Sequence, residues 1–135
     1  MRNHKNGFTL MELTIVLAIL AIIAAILIPM FLTTTDRARL RSDIQSARVI
    51  QNAIELYRVE TGQTVAGGTD VSQIMRNLET AGYLNLRNAS IQTEGAEWVT
   101  DSLHGVRVNI TNSPESVRRA YTNLPLADRQ MVVGG

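Results

Sequence analysis

The chain contains no cysteine, which excludes a disulfide framework, a thiolate nucleophile and a zinc site built on thiolates. Its single lysine, Lys5, leaves no phosphate-binding P-loop, and neither an EF-hand loop nor an H-E-x-x-H helix occurs. An excess of one charge is also missing: 13 basic and 12 acidic residues leave a formal charge of +1. No chain-wide basic field exists to hold nucleic acid, and there is no acidic tail. Charged residues make up only 19% and apolar ones 45%, which excludes the disordered class. At 135 residues there is length for one domain and not for two.

What the chain does have is distributed unevenly. From Leu13 to Ile28 only Thr14 is not apolar, and the wider stretch from Phe8 to Leu32 adds only Thr9, Glu12 and Pro29. As a helix rising ~1.5 Å per residue, those positions span about 37 Å, enough to cross a hydrocarbon core of about 30 Å. The soluble remainder, from Thr33 onward, has a small core that gains from packing against a helix.

Ahead of this run lies a short polar leader with Arg2, His4 and Lys5, ending at Gly7. An ordinary secretory signal is cut after its apolar region, at a small-residue A-x-A site, and that region is about 7–15 residues long. No A-x-A lies between Ala18 and Thr35, and the run is too long. The natural break precedes the apolar run, between Gly7 and Phe8.

The segment Gly7-Phe8-Thr9-Leu10-Met11-Glu12-Leu13, followed by an apolar run and Pro29, resembles the class III signal and N-terminal helix of type IV pilins and pseudopilins. The resemblance is dense over Gly7 to Pro29, loose over the following helix, and absent beyond it. It implies cleavage after Gly7 by a prepilin peptidase, N-methylation of the new Phe8 amine, and assembly into a helical filament by a platform with its ATPase. It implies no cofactor. The subunit would wait in the inner membrane as a single-pass precursor before joining an extracellular or periplasmic filament.

Glu12 and Pro29 each admit two readings. A carboxylate inside a membrane helix costs about 2.5–3.5 kcal/mol and marks a pairing or a pathway. Glu12 would pair with the Phe8 amine of a neighbouring subunit and set the axial register; alternatively it meets headgroup water, or its own chain's amine one turn away. Pro29 removes one helix hydrogen bond and collides with the carbonyl near Ala25. It either kinks a helix that continues through it, which we favour, or ends the membrane helix.

After Thr35 the pattern turns amphipathic: Leu40, Ile44, Ala47, Ile50, Ile54 and Tyr57 follow the ~3.6-residue stripe of a half-buried helix. Gly62 supplies the stop. Asp70 caps a short helix carrying Val71, Ile74, Leu78 and Ala81, which Gly82 ends. Ser90 to Thr93, Glu97 to Asp101 and Gly105 to Thr111 read as strands, with a turn at Leu103-His104-Gly105 and a further edge strand at Met131 to Val133. Ser113-Pro114-Glu115 reads as cap, first helical residue and first-turn acid of another helix, running to about Asn123. The expected fold is α+β, a long helix packed on a small antiparallel sheet. Its expected divisions are a leader over 1–7, a transmembrane and assembly helix over 8–61, and a globular head over 62–135.

Catalysis has no visible carrier. Ser102 and His104 are neighbours without a G-x-S-x-G elbow, and the chain reads as a non-enzyme. Asp101 and Asp128 are scattered acids that resemble only weakly the calcium site of some pseudopilins. Arg37, Arg39 and Arg41 form a collar beyond the apolar run, suited to headgroups or to subunit ion pairs with Asp36, Asp43, Glu55 or Glu60; Arg118-Arg119 form a second cluster. No nucleic-acid motif accompanies either. The collar sets three arginines against Arg2 and Lys5 at the other end, so the positive-inside rule alone would not put the N-terminus inside. That orientation comes from the resemblance. Asn88-Ala89-Ser90 and Asn109-Ile110-Thr111 are glycosylation triplets of the kind that chance supplies.

The leading functional expectation is a major-pilin-like structural subunit of a type IV pilus. Beside it stand a major pseudopilin of a type II secretion or competence DNA-uptake system, and a single-pass protein displaying a small binding module. A sortase-built pilus is disfavoured, since Leu124-Pro125-Leu126-Ala127-Asp128 is followed by no apolar segment with a basic tail.

Overall fold

The structure is a computed structural model that describes residues 7–101 and 105–135. It divides into two compact units, one ending at Leu32 and the other running Thr33–Gly135. Helix α1 spans Leu10–Thr61 and contains Pro29, so the proline does not terminate it. Thr61 is its last residue; Gly62 follows at φ +71, with its N–H on the Arg58 carbonyl at 2.9 Å. A left-handed residue there favours glycine, which has no Cβ to clash.

In the first unit the large apolar side chains of α1 are all exposed, Phe31 and Ile22 among them. By length and composition this helix is able to cross a membrane.

The second unit is built around the amphipathic half of α1. Leu40, Ala47 and Ile50 are fully buried and Ile44 is 1% exposed, joined in one core by Leu78, Val106, Val108, Ile110 and Val117. Ile54 and Tyr57 pack on its margin. Helix α2, Val71–Thr80, starts as expected: the Asp70 carboxylate accepts from the N–H groups of Ser72 and Gln73. It ends in a Schellman motif, with Tyr83 N–H on Leu78 O at 2.8 Å, Gly82 N–H on Glu79 O at 3.0 Å and Gly82 at φ +83. A 3₁₀ turn, Leu86–Asn88, follows.

The sheet has three strands in the order β1 (Glu97–Asp101), β2 (Gly105–Asn109), β3 (Val132–Val133). The β1–β2 pair is antiparallel, with Trp98 opposite Val108. The third strand joins β2 in parallel, Val108 opposite Val132, so the sheet is mixed and not wholly antiparallel. Between β2 and β3 the chain passes through helices α3 (Glu115–Thr122) and α4 (Leu126–Arg129). A helical crossover of this kind returns the chain in the direction it left.

Two further expectations are corrected. Ser90 to Thr93 is not a strand, because the N–H groups of Gln92 and Thr93 donate to the Asp43 carboxylate at 2.8 and 2.9 Å instead of to a ladder. Helix α3 begins one residue later than the Ser113 cap requires. Pro114, extended at φ −58 and ψ 160, is its N-cap, and the buried Ser113 hydroxyl makes no capping bond. The Leu103-His104 part of the expected turn lies outside the described residues.

Candidate assembly and processing segment

Gly7, Phe8 and Thr9 are non-helical and exposed, immediately ahead of α1. A Cβ added at Gly7 would meet nothing within 4 Å, and Phe8 is 86% exposed. The Gly7–Phe8 peptide bond therefore sits in open chain, outside the helical hydrogen-bond ladder that would shield it from a protease. Inside the helix, each carbonyl would be held by an N–H four residues on.

The ladder opens with Leu13 N–H on Thr9 O at 3.2 Å. Glu12 lies in the first turn, and its Oε2 accepts from the Thr9 N–H at 2.8 Å, while the Thr9 hydroxyl oxygen accepts from the Glu12 N–H at 3.2 Å. This is a reciprocal capping box, with Thr9 as N-cap and Glu12 three residues on. It satisfies backbone donors that the start of a helix leaves orphaned. It also places a negative charge at the positive end of the helix dipole. The T-x-x-E spacing that encodes it is legible in the sequence, but the reading of Glu12 as a charge in search of a cation passed over it. Thr9 is thus a residue of this site that sequence reasoning missed. One lone pair of the carboxylate is used in the box, and an ionised carboxylate has about four acceptor positions, so capping leaves Glu12 able to take a cation as well.

Pro29 lies farther along the same exposed half, within α1. Lacking an N–H, it leaves the carbonyl one turn earlier, at Ala25, without its helical donor. The four residues are not brought together. They are strung along one element, with Gly7, Phe8 and Glu12 at its start and Pro29 well inside it.

The head holds the second half of α1 by polar contacts spread along it. Asp43 is fully buried and anchors the 92–93 backbone. Arg48 pairs with Asp128 at 2.9 Å. Gln51 Oε1 accepts from Val106 N–H at 3.1 Å, and Glu60 accepts from the Tyr83 hydroxyl at 2.7 Å. Asp101 lies 3.9 Å from Arg107 and Asp128 is taken by Arg48, so both scattered acids face arginines. Among the described residues no group of three or more His, Cys, Asp or Glu side chains is placed to hold a metal. Ser102 and His104 lie outside those residues.

Residues 2–28 match the model of the prokaryotic N-terminal methylation motif. The chain is 44% identical over 59 residues to the prepilin peptidase-dependent protein A of Clostridium perfringens, covering 44% of this chain and 42% of that one. It is 44% identical over 63 residues to a type IV wide pilus major component of Thermus thermophilus, covering 44% and 45%. Against the type II secretion system core protein G of Pseudomonas aeruginosa it is 30% identical over 59 residues, covering 44% and 42%. Each match spans less than half of the relative's own length. No solved structure matches the chain. By the methylation motif and these relatives, the N-terminal part of the chain is similar to that of type IV pilins and pseudopilins.

Proposed function

We propose that this chain is a major structural subunit of a type IV pilus filament, cut between Gly7 and Phe8 and assembled with copies of itself through the first half of α1. The observation that carries this reading is the pairing of the methylation motif over residues 2–28 with a helix whose large apolar side chains are all exposed there. Such a surface needs lipid before assembly and neighbouring helices after it. Cleavage after Gly7 creates an amine at Phe8, which stays cationic when methylated once. Glu12, held at the helix start by Thr9, pairs with that amine on a neighbouring copy and sets the axial register. Pro29 supplies a point where the helix gives way during packing. The chain's part is structural and not catalytic. The precursor waits in the inner membrane, and a prepilin peptidase and an assembly platform driven by its ATPase act on it there.

A second reading is the major pseudopilin of a secretion or competence system. It is favoured by the secretion core protein G relatives, which match the same share of the chain as the pilus component does. A filament seen on the cell surface supports the pilus; a fibre confined to the periplasm supports the pseudopilus.

The primary test is N-terminal peptide mass spectrometry of the chain purified from its native cells. A chain beginning at Phe8 with one added methyl group supports the proposal; one still beginning at Met1, or cut beyond Pro29, overturns it. Glu12→Ala should leave membrane insertion intact while filaments fall, and abundant normal filaments from that variant would end the register role.

A further inference from the structure

The processing segment and the head leave one cluster unexplained: Arg37, Arg39 and Arg41, which follow the apolar run directly. We propose that Arg37 and Arg41 form a clamp for the phosphate of an anionic phospholipid at the end of the span remote from the N-terminus. The proposal rests on the reading of the first half of α1 as a membrane span.

Position is the first argument. Arg37 follows Leu32 by five residues, a rise of about 7 Å along a helix. Bilayers of about 40–45 Å in all carry about 30 Å of hydrocarbon, so the headgroup layer on each side is about 5–7 Å deep. Arg37 therefore stands at the outer margin of that layer when Leu32 ends the hydrocarbon. Helical Cα–Cβ bonds tilt toward the N-terminus, so both side chains reach back toward the apolar run and bring their guanidinium groups to phosphate level.

Charge and partnership supply the second argument. Three arginines stand here against one acid, Asp36, which lies 4.0 Å from Arg39. Among the described residues no salt bridge engages Arg37 or Arg41. Asp43, next on the helix, is spent on the Gln92 and Thr93 N–H groups. The Arg37 Nε is covered by the protein itself and makes no hydrogen bond among the described residues, so the terminal guanidinium nitrogens are the donors left for a ligand.

Geometry is the third. Residues four apart on a helix share a face at about 5–6 Å between Cβ atoms. Two planar guanidinium forks at that spacing suit phosphate oxygens, which guanidinium binds in bidentate fashion. A lipid with no compensating ammonium, such as phosphatidylglycerol, leaves that phosphate charge uncancelled. The clamp also accounts for three arginines on the side of the span where the positive-inside rule expects few.

The test reconstitutes the full chain in vesicles of equal phosphatidylglycerol and phosphatidylcholine, and counts retained lipids by native mass spectrometry after mild extraction. Each basic residue near an anionic surface is worth about fivefold, so the chain should prefer phosphatidylglycerol by about 25-fold. Arg37→Gln/Arg41→Gln should fall to parity with its head melting unchanged. Arg37→Lys/Arg41→Lys should be intermediate, and Arg118→Gln/Arg119→Gln should match the parent. Equal selectivity in parent and double Gln variant overturns the clamp. Absent lipid preference together with lost chain–chain cross-linking in the double variant also overturns it, and gives the collar to a second copy. Failure of the 10–32 segment to be protected from protease overturns the membrane reading and the clamp with it. The vesicles hold no assembly machinery, so the filament reading stands or falls separately.

Discussion

The two halves of α1 share a backbone and differ in what their side chains meet. Between Leu10 and Leu32 the large apolar residues all face outward, Ile22 at 65% and Leu32 at 58% exposure. From Leu40 to Ile50 the inward stripe is at 0–1% exposure, covered by the sheet and the shorter helices. Apolar burial contributes about 25 cal/mol per Å² wherever it occurs. In the second half that gain is collected within the chain and stabilises the head. In the first half it is left for lipid or for another copy. One helix thus carries a folding surface and an exposed apolar surface in series, and each should respond to its own substitutions.

The sharpest way to break this comparison is to make the same truncation in both halves. Ile44→Ala opens a cavity in a close-packed core and should cost about 2–5 kcal/mol, lowering the head's melting temperature by roughly 4–8 °C per kcal/mol. Ile22→Ala should leave that melting temperature unchanged, because its side chain is exposed. Thermal unfolding followed by near-ultraviolet circular dichroism measures both. A matching drop in the two variants would mean that the halves are not energetically separate.

Next in size is Asp43→Ala. Two backbone N–H groups, of Gln92 and Thr93, would lose their acceptor; the buried Thr93 donor left without one costs about 1–3 kcal/mol, and the part-buried Gln92 donor, which water can reach, costs less. The loss should be local before it is global. Amide exchange at Gln92 and Thr93 should accelerate more than at Val108 or Ile110, whose N–H groups donate to the Met131 and Val133 carbonyls. Uniform acceleration would show that Asp43 anchors the whole head and not one loop.

Those residues mark the limit of what was legible in the sequence. The stripe from Leu40 to Tyr57, the Gly62 stop, the Asp70 cap and the Gly82 end follow from local rules, since each needs only a few neighbours along the chain. The β1–β2 hairpin is legible for the same reason. Asp43 was opaque because its partners lie about fifty residues away, and along the helix it reads instead as an ion-pair partner for the arginine collar. With its partners hidden, Ser90 to Thr93 passes for a strand. The direction of β3 depends on where α3 and α4 deliver the chain, which is tertiary information. At the N-terminus the methylation motif was legible, while the Thr9 half of the capping box is not read from the sequence although its spacing is local.

Gly105→Ala should have a smaller effect. Gly105 opens β2 at φ +74, and an added Cβ would strike the Gln51 side chain, whose Oε1 accepts from Val106 N–H. The left-handed conformation costs an L-residue about 1–2 kcal/mol, and displacing Gln51 weakens one tie between α1 and the sheet. Urea unfolding should show a lower midpoint with an unchanged slope. Combining it with Gln51→Ala, which removes the collision, should recover part of the loss. No recovery would leave the backbone strain as the whole effect.

The smallest effect belongs to the last tie before the helix ends. The Tyr83 hydroxyl donates to Glu60 Oε2 at 2.7 Å, and its ring meets Tyr57 edge-on with centroids 5.4 Å apart. The Glu60 carboxylate beside it holds the Tyr83 pKa above the ordinary tyrosine value of 10.0, first by the hydrogen bond and then by desolvation and like charge. A pKa raised on folding contributes stability that is complete below the unfolded value and is lost as pH climbs through the folded one. Tyr83→Phe should therefore be slightly less stable than the parent at pH 7, with the gap closing at alkaline pH above about 10. A gap that holds constant into alkali would mean that the ring contact with Tyr57, and not the bond to Glu60, is what ties this end of α1 to the head.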